Sequence, residues 1–176
     1  MRPQVERRLD DVLQTGDAWE VAPEYACLIE AERTASQISS IGFVPGMLRS
    51  EGYLTATNHA LQSGNRSRGE HQLELMLARQ QIIDLRQAAG EVAMRVLMPI
   101  TVMHTVLEEI RTAMPDTSGR RRDHLVLQTV RDQAQRLLLA CTNGWDIKLV
   151  PEADLHTMLG PSAANSVLCE GMPGRP

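Results

Sequence analysis

The chain has 176 residues, 43% of them hydrophobic and 23% charged, with a formal net charge of −4. That size and balance suit one compact domain with a sizeable core, and they disfavour sequence-independent nucleic-acid binding, which rests on basic surface. No apolar run approaches the ~20 residues of a membrane span, and the start, Met1-Arg-Pro-Gln-Val-Glu-Arg-Arg-Leu9, lacks a signal-peptide core, so a cytoplasmic location is expected.

Aromatics make up only 3% of the chain, so Leu, Ile, Val, Met and Ala must fill the core, and nine methionines make it adaptable. Cys27, Cys141 and Cys169 are odd in number and far apart, which reads as buried free thiols rather than a disulfide framework.

In chain order, Val5, Leu9 and Val12 share a helical face over residues 4–14, stopped by Thr15-Gly16-Asp17. A second helix is expected over residues 23–39, with Pro23 in its first turn and Tyr25, Leu28, Ala35 and Ile38 on its inner face. Glu24, Glu30 and Glu32 then lie on or near solvent. Next comes the corner Phe43-Val44-Pro45-Gly46-Met47-Leu48-Arg49-Ser50-Glu51-Gly52-Tyr53, in which Gly46 is expected to take a positive φ after Pro45. Ser50 is a natural N-cap for a third helix carrying Tyr53, Leu54, Thr57 and Leu61, ended by Ser63-Gly64.

After a polar loop at residues 65–69, a long helix is predicted over 69–89. Its stripe is Leu73, Met76, Leu77, Gln80, Ile83 and Gln87. Past Gly90, Val92, Met94, Val96 and Met98 alternate as in a strand, which Pro99 either ends or places at a sheet edge. Residues 100–107 are rich in β-branched side chains and are expected to prolong the sheet, and residues 114–123 to form a loop containing Arg120-Arg121-Arg122. A helix over 123–142 would bury Leu127, Val130, Ala134, Leu137, Leu138 and Cys141. Asn143-Gly144 is a turn, residues 145–150 a strand, residues 151–165 a loop and residues 166–170 a last strand. The fold class is α+β, a mostly helical single domain over residues 1–170 with a small sheet in the second half, followed by a frayed tail at 171–176.

Chemical signatures are sparse. His59, His71, His104, His124 and His156 lack metal-ligand spacing, and no phosphate loop, dinucleotide fingerprint or Gly-x-Ser-x-Gly is present, so neither a metal nor a cofactor is expected. Cys141 with His124, and Ser162 with His156, are the only nucleophile–base pairings within reach, and no motif stands behind either. The arginines at 120–122, with Arg66 and Arg68, could hold an anion or simply be solvated.

Three segments resemble one known family. Tyr25-Ala-Cys-Leu-Ile-Glu-Ala-Glu32, the corner at residues 43–53, and Leu73–Ile83 ("LELMLARQQII") occur in the order and spacing of the domain of unknown function that follows an XRE-type helix-turn-helix in WhiJ-like actinobacterial regulators. Val44-Pro45-Gly46-Met47-Leu48-Arg49-Ser50 stands where that family reads Val-Pro-Gly-Leu-Leu-Gln-Thr. Leu77-Ala78-Arg79-Gln80 resembles its Arg-x-x-Arg-Gln element, and residues 133–137 and 147–151 resemble its late helix and strand. A family strand ending in an acidic residue would run to His104 or to Glu109. Fewer than thirty residues precede Glu30, against the roughly sixty of a helix-turn-helix domain, so the DNA-reading part and direct DNA binding are expected to be missing. The family's last strands and helices are expected to be cut short after Glu170.

The resemblance implies an antitoxin-like sensor or partner-binding module for a small molecule or a small acidic protein, able to form a homodimer. Phe43, Pro45, Met47, Leu48, Tyr53 and Arg79 would line its pocket or groove, with the Pro-Gly corner fixing the angle between two helices. The alternative is a cofactor-free cyclase or isomerase of secondary metabolism. Glu30, Tyr53, His104 and Glu109 are then the acid–base candidates.

Overall fold

A computed structural model of the chain describes residues 4, 6, 7, 10, 23–58, 63–114, 119–160 and 165–171. The elements are α1 (Pro23–Thr34), β1 (Gln37–Gly42), a 3-10 turn (Gly46–Leu48), α2 (Glu51–Thr57), α3 (Arg66–Ala88), β2 (Ala93–Pro99), α4 (Val102–Ala113), α5 (Gly119–Thr142), β3 (Asp146–Val150), α6 (Glu152–Leu159) and β4 (Asn165–Glu170). The four strands form one sheet in the order β3-β2-β1-β4, so the fold is α+β as expected. The chain divides into two compact units. The first comprises Met1–Ile38, Asn58–Met94 and Cys169–Pro176, and the second Ser39–Thr57 and Arg95–Leu168.

In the first unit α1 packs on α3 and buries Ile29, Leu75, Ala78, Ile82 and Ile83. Gln4, Glu6, Arg7 and Asp10 are helical, and Asp10 pairs with Arg33 at 2.7 Å. The rest of the expected first helix, with its Val5-Leu9-Val12 face, lies outside the described residues. Helix α1 stops at Thr34, earlier than expected, because residues 37–42 switch to a two-residue period that buries Ile38, Ser40 and Gly42. Ile38 continues the helical spacing of Ala35, so the helix and strand patterns overlap there. The sheet therefore takes a strand from the first half as well.

Helix α3 starts three residues before the predicted point. Asn65 supplies the cap, its side-chain oxygen accepting the Arg68 amide at 3.3 Å. Its stop is the predicted one: Gly90 has φ +72°, a left-handed conformation that releases the chain into β2.

The second unit is built around α5. Strand β2 pairs in parallel with β3 in the register Arg95↔Asp146 to Pro99↔Val150, and α4 and α5 make the crossover. Pro99 is the last residue of β2, and residues 100–107 do not prolong the sheet. They enter α4, whose Val102, Val106 and Ile110 are buried on one face. Their helical spacing, with one face buried, outweighs the strand preference of their β-branched members. The strand reaching to His104 or Glu109 is likewise replaced by this helix.

Helix α5 begins at Gly119, so the arginine run belongs to its first turn rather than to a loop. Its inner face is also not the expected one. Val126, Thr129, Gln133 and Ala140 are buried, while Leu127 and Leu138 are each 66% exposed and Ala134 and Cys141 face solvent. Residues 152–159 form α6 instead of a loop. Pro151 precedes it, Glu152 and Asp154 lie in its first turn, and Gly160 at φ +74° ends it. Among the described residues no helix is long and apolar enough to cross a membrane. The expected tail lies outside the described residues apart from Gly171.

Candidate functional site

The corner at residues 43–53 is a compact structure within the second unit. Pro45, at φ −54° and ψ 131°, opens the 3-10 turn, in which the Leu48 amide donates to the Pro45 carbonyl at 2.9 Å. Gly46 lies inside this turn and is not among the positive-φ glycines, so the expected left-handed glycine after Pro45 does not occur. A 3-10 turn bends the chain with negative φ throughout. Ser50 caps α2 as expected: its hydroxyl accepts the Tyr53 amide at 3.1 Å.

Helix α5 grips this corner through its polar inner face. The Gln133 side chain, fully buried, accepts the Ser50 amide and donates to the Leu48 carbonyl, both at 2.7 Å. Arg136 donates to the Met47 carbonyl at 2.9 Å and lies 5.8 Å from the Trp145 ring. Buried backbone groups need partners, and here a glutamine and an arginine supply them from another helix. The Arg49 guanidinium lies over the Tyr53 ring at 5.4 Å and donates to the Val44 carbonyl at 3.0 Å.

The corner residues expected to line a pocket are mostly core. Pro45, Met47, Leu48 and Tyr53 are buried. Phe43 is half-buried and its ring meets the His156 imidazole at 4.8 Å between centroids.

The acid–base candidates separate. The Tyr53 hydroxyl donates to the Glu109 carboxylate, joining α2 to α4. His104 is exposed on α4 and lies about 140° around the helix from Glu109, at about 100° per residue. Glu30 belongs to the first unit, where it is exposed and 3.5 Å from Arg33. The proposed pairing of Cys141 with His124 fails on length, since both are on α5 and about 25 Å apart at about 1.5 Å per residue. Ser162 lies outside the described residues. Among the described residues no three His, Cys, Asp or Glu side chains converge as a metal site would require.

Arg79, the remaining binding candidate, is buried in the first unit. There its guanidinium makes two parallel bonds to the Glu32 carboxylate, itself 2% exposed. This overturns the expectation that Glu32 lies near solvent. Buried Arg86 donates to the Glu32 carbonyl and, at 2.6 Å, to the Ala35 carbonyl, so it satisfies the C-terminal end of α1. Cys169 is in the same unit. Burial pushes its thiol pKa up, the Glu32 charge adds to that, and the Arg79 charge opposes it.

The open surface of the second unit lies along α4 and α5, where the sequence had marked only the arginine run at 120–122. A groove of about 370 Å³ is lined by Leu107, Arg111, Arg122, Asp123, Val126 and Leu127. A second, of about 590 Å³, runs over the outer side of α5 past His124, Leu127, Arg131 and Gln135. Apolar side chains here stand among charges of both signs: Asp123 and Asp132 lie beside Arg111, Arg122 and Arg131, Arg111 pairs with Glu108 at 3.5 Å, and Arg122 donates to the Arg111 carbonyl at 2.7 Å.

A family described as a domain of unknown function, DUF5753, matches residues 25–168. The chain belongs to that family. The DUF5753 match runs from the first turn of α1 through α6, including the corner and its α5 clamp. No curated protein and no solved structure matches the chain.

Proposed function

We propose that this DUF5753 chain is a cytoplasmic sensor or partner-binding domain of the kind found in XRE-family, WhiJ-like actinobacterial regulators. Its ligand is a small molecule carrying an anionic group or an acidic segment of a small partner protein. The observation that carries this reading is the groove between α4 and α5, where Leu107, Val126 and Leu127 stand beside Arg111 and Arg122. Its volume of about 370 Å³ falls in the range of small-molecule sites, roughly 300–1,000 Å³. The regulator context rests on the resemblance of residues 25–83, and the clamped corner supplies a rigid wall behind α5.

The test is a thermal-shift screen with apolar carboxylates, joined to calorimetric titration with an acidic peptide that also carries apolar side chains. A stabilising ligand or partner is expected, and Arg111→Glu with Leu107→Glu should abolish its binding without lowering the melting temperature. Binding unchanged in that double variant, or no binder from either source, overturns the reading.

A further inference from the structure

Strand β3 stands at one end of the sheet, and among the described strands it neighbours β2 alone. The Val150 carbonyl accepts the Ile100 amide at 2.9 Å, so Val150 turns its backbone groups toward β2. Alternation along the parallel ladder turns those of Lys148 and Asp146 the same way. The backbone N–H and C=O groups of Ile147 and Leu149 then face away from the sheet, where no described strand meets them. A row of unpaired backbone groups on a sheet edge is a template for one more strand.

The side chains along this edge describe what would cover it. Register sets Ile147 and Leu149 on the same side of the sheet as Val96 and Met98. Val96 and Met98 are 2% and 1% exposed, whereas Leu149 is 55% exposed. The apolar layer over β2 therefore stops short of β3. Lys148 projects on the other side and is exposed. Its register partner is apolar Leu97, and among the described residues no carboxylate pairs with it. Asp146, on the side of Lys148, stands in register with Arg95. A strand laid along the edge thus meets an apolar, a cationic and an apolar residue in turn. Its complement is apolar, acidic, apolar. A second copy of β3, antiparallel and centred on this edge, would set Lys148 against Lys148, and like charges directly opposite destabilise a strand pair.

We propose that the free edge of β3 takes an extended segment of another protein as an added strand, with an acidic residue opposite Lys148 and an apolar residue on either side of it. The segment's main chain bonds Ile147 and Leu149, and its alternating side chains select the partner. No residue named in the α4–α5 groove belongs to β3, so this site stands or falls separately from the groove.

The probe is a synthetic peptide, Thr-Thr-Val-Glu-Val-Thr-Thr, titrated into the isotopically labelled full chain. Backbone amide exchange at Ile147 and Leu149 is expected to slow as the peptide is added. Two further peptides carry N-methyl groups on one or the other alternate set of amides, and only one of the two should still bind. Lys148→Glu should weaken binding about fivefold or more, and the peptide with Lys in place of Glu should restore it. Leu149→Pro removes an outward N–H without touching the β2 ladder, and it should reduce binding with unchanged circular dichroism. No saturable binding at millimolar peptide overturns the proposal, as does binding by both methylated peptides. Equal affinity of the wild type and Lys148→Glu for the Glu peptide overturns the charge match. Slower exchange at Ile147 and Leu149 as the chain alone is concentrated puts a second copy on the edge and overturns the partner.

Discussion

The side-chain oxygen of Gln133 accepts the backbone N–H of Ser50 at 2.7 Å, joining α5 to a cap 83 positions earlier in the chain. The amide nitrogen of the same side chain donates to the Leu48 carbonyl at 2.7 Å. One residue therefore fixes both sides of the corner. Removing it leaves two buried backbone groups without that partner, each worth about 1–3 kcal/mol. Gln133→Ala is expected to lower unfolding stability by at least about 2 kcal/mol in urea titration. Gln133→Glu keeps an acceptor but not the donor and adds a buried charge, so it should be no better. A midpoint unchanged by either substitution would show that the clamp carries no stability.

The Glu32–Arg79 pair is fully committed within the first unit. Breaking a buried pair from one side strands the other charge, at a cost of about 3–5 kcal/mol. Glu32→Leu and Arg79→Met should each destabilise by that order, and the double variant should recover much of the loss. Denaturant midpoints of the three variants form the cycle that measures it.

Tyr53 is buried and gives its hydroxyl proton to the Glu109 carboxylate, which is exposed. A hydrogen bond to a charged group contributes about 1.5–3 kcal/mol. Tyr53→Phe and Glu109→Ala should each lose stability in that range, and together little more than either alone. Additive losses in thermal or urea unfolding would show that the contact is not a working bond.

Gly90 has φ +72° and open space where a Cβ would sit. The cost of Gly90→Ala is then purely conformational, about 1–2 kcal/mol. Calorimetry should show a lower melting temperature with an unchanged fold, and a neutral result would mean that β2 can begin without the left-handed stop.

Cys169 should alkylate more slowly than exposed Cys27 at mildly alkaline pH. The thiolate is the reactive form, and burial followed by the Glu32 charge keeps the Cys169 thiol protonated to higher pH. Its reaction rate should therefore rise only above the ordinary thiol range. Glu32→Gln should shift the Cys169 profile toward lower pH. Mass-resolved labelling checks both, and a Cys169 profile that does not move in the Glu32→Gln variant contradicts the assignment.

Local chemistry was enough to set the Ser50 cap, the Gly90 stop, the alternation of β2, the strand after Asn143-Gly144 and the α+β class. Each depends on residues a few positions apart, where backbone hydrogen bonding and side-chain spacing act directly. The corner, with Tyr25–Glu32 and Leu73–Ile83, was also enough to point to a domain of unknown function, as residues 25–168 match. Tertiary packing decided the rest. Glu32 reads as a solvent carboxylate until Arg79 meets it from another helix. Val102, Val106 and Ile110 suit a strand or a helix, and burial of one helical face selected the helix. The turn at Gly46 needed no positive φ once Gln133 and Arg136 held the carbonyls around it. Helix α5 is the clearest case. Periodicity showed that it has an apolar stripe, but not which way the stripe would turn, because the corner's unpaired backbone groups called for the polar face and left Leu127 and Leu138 in water.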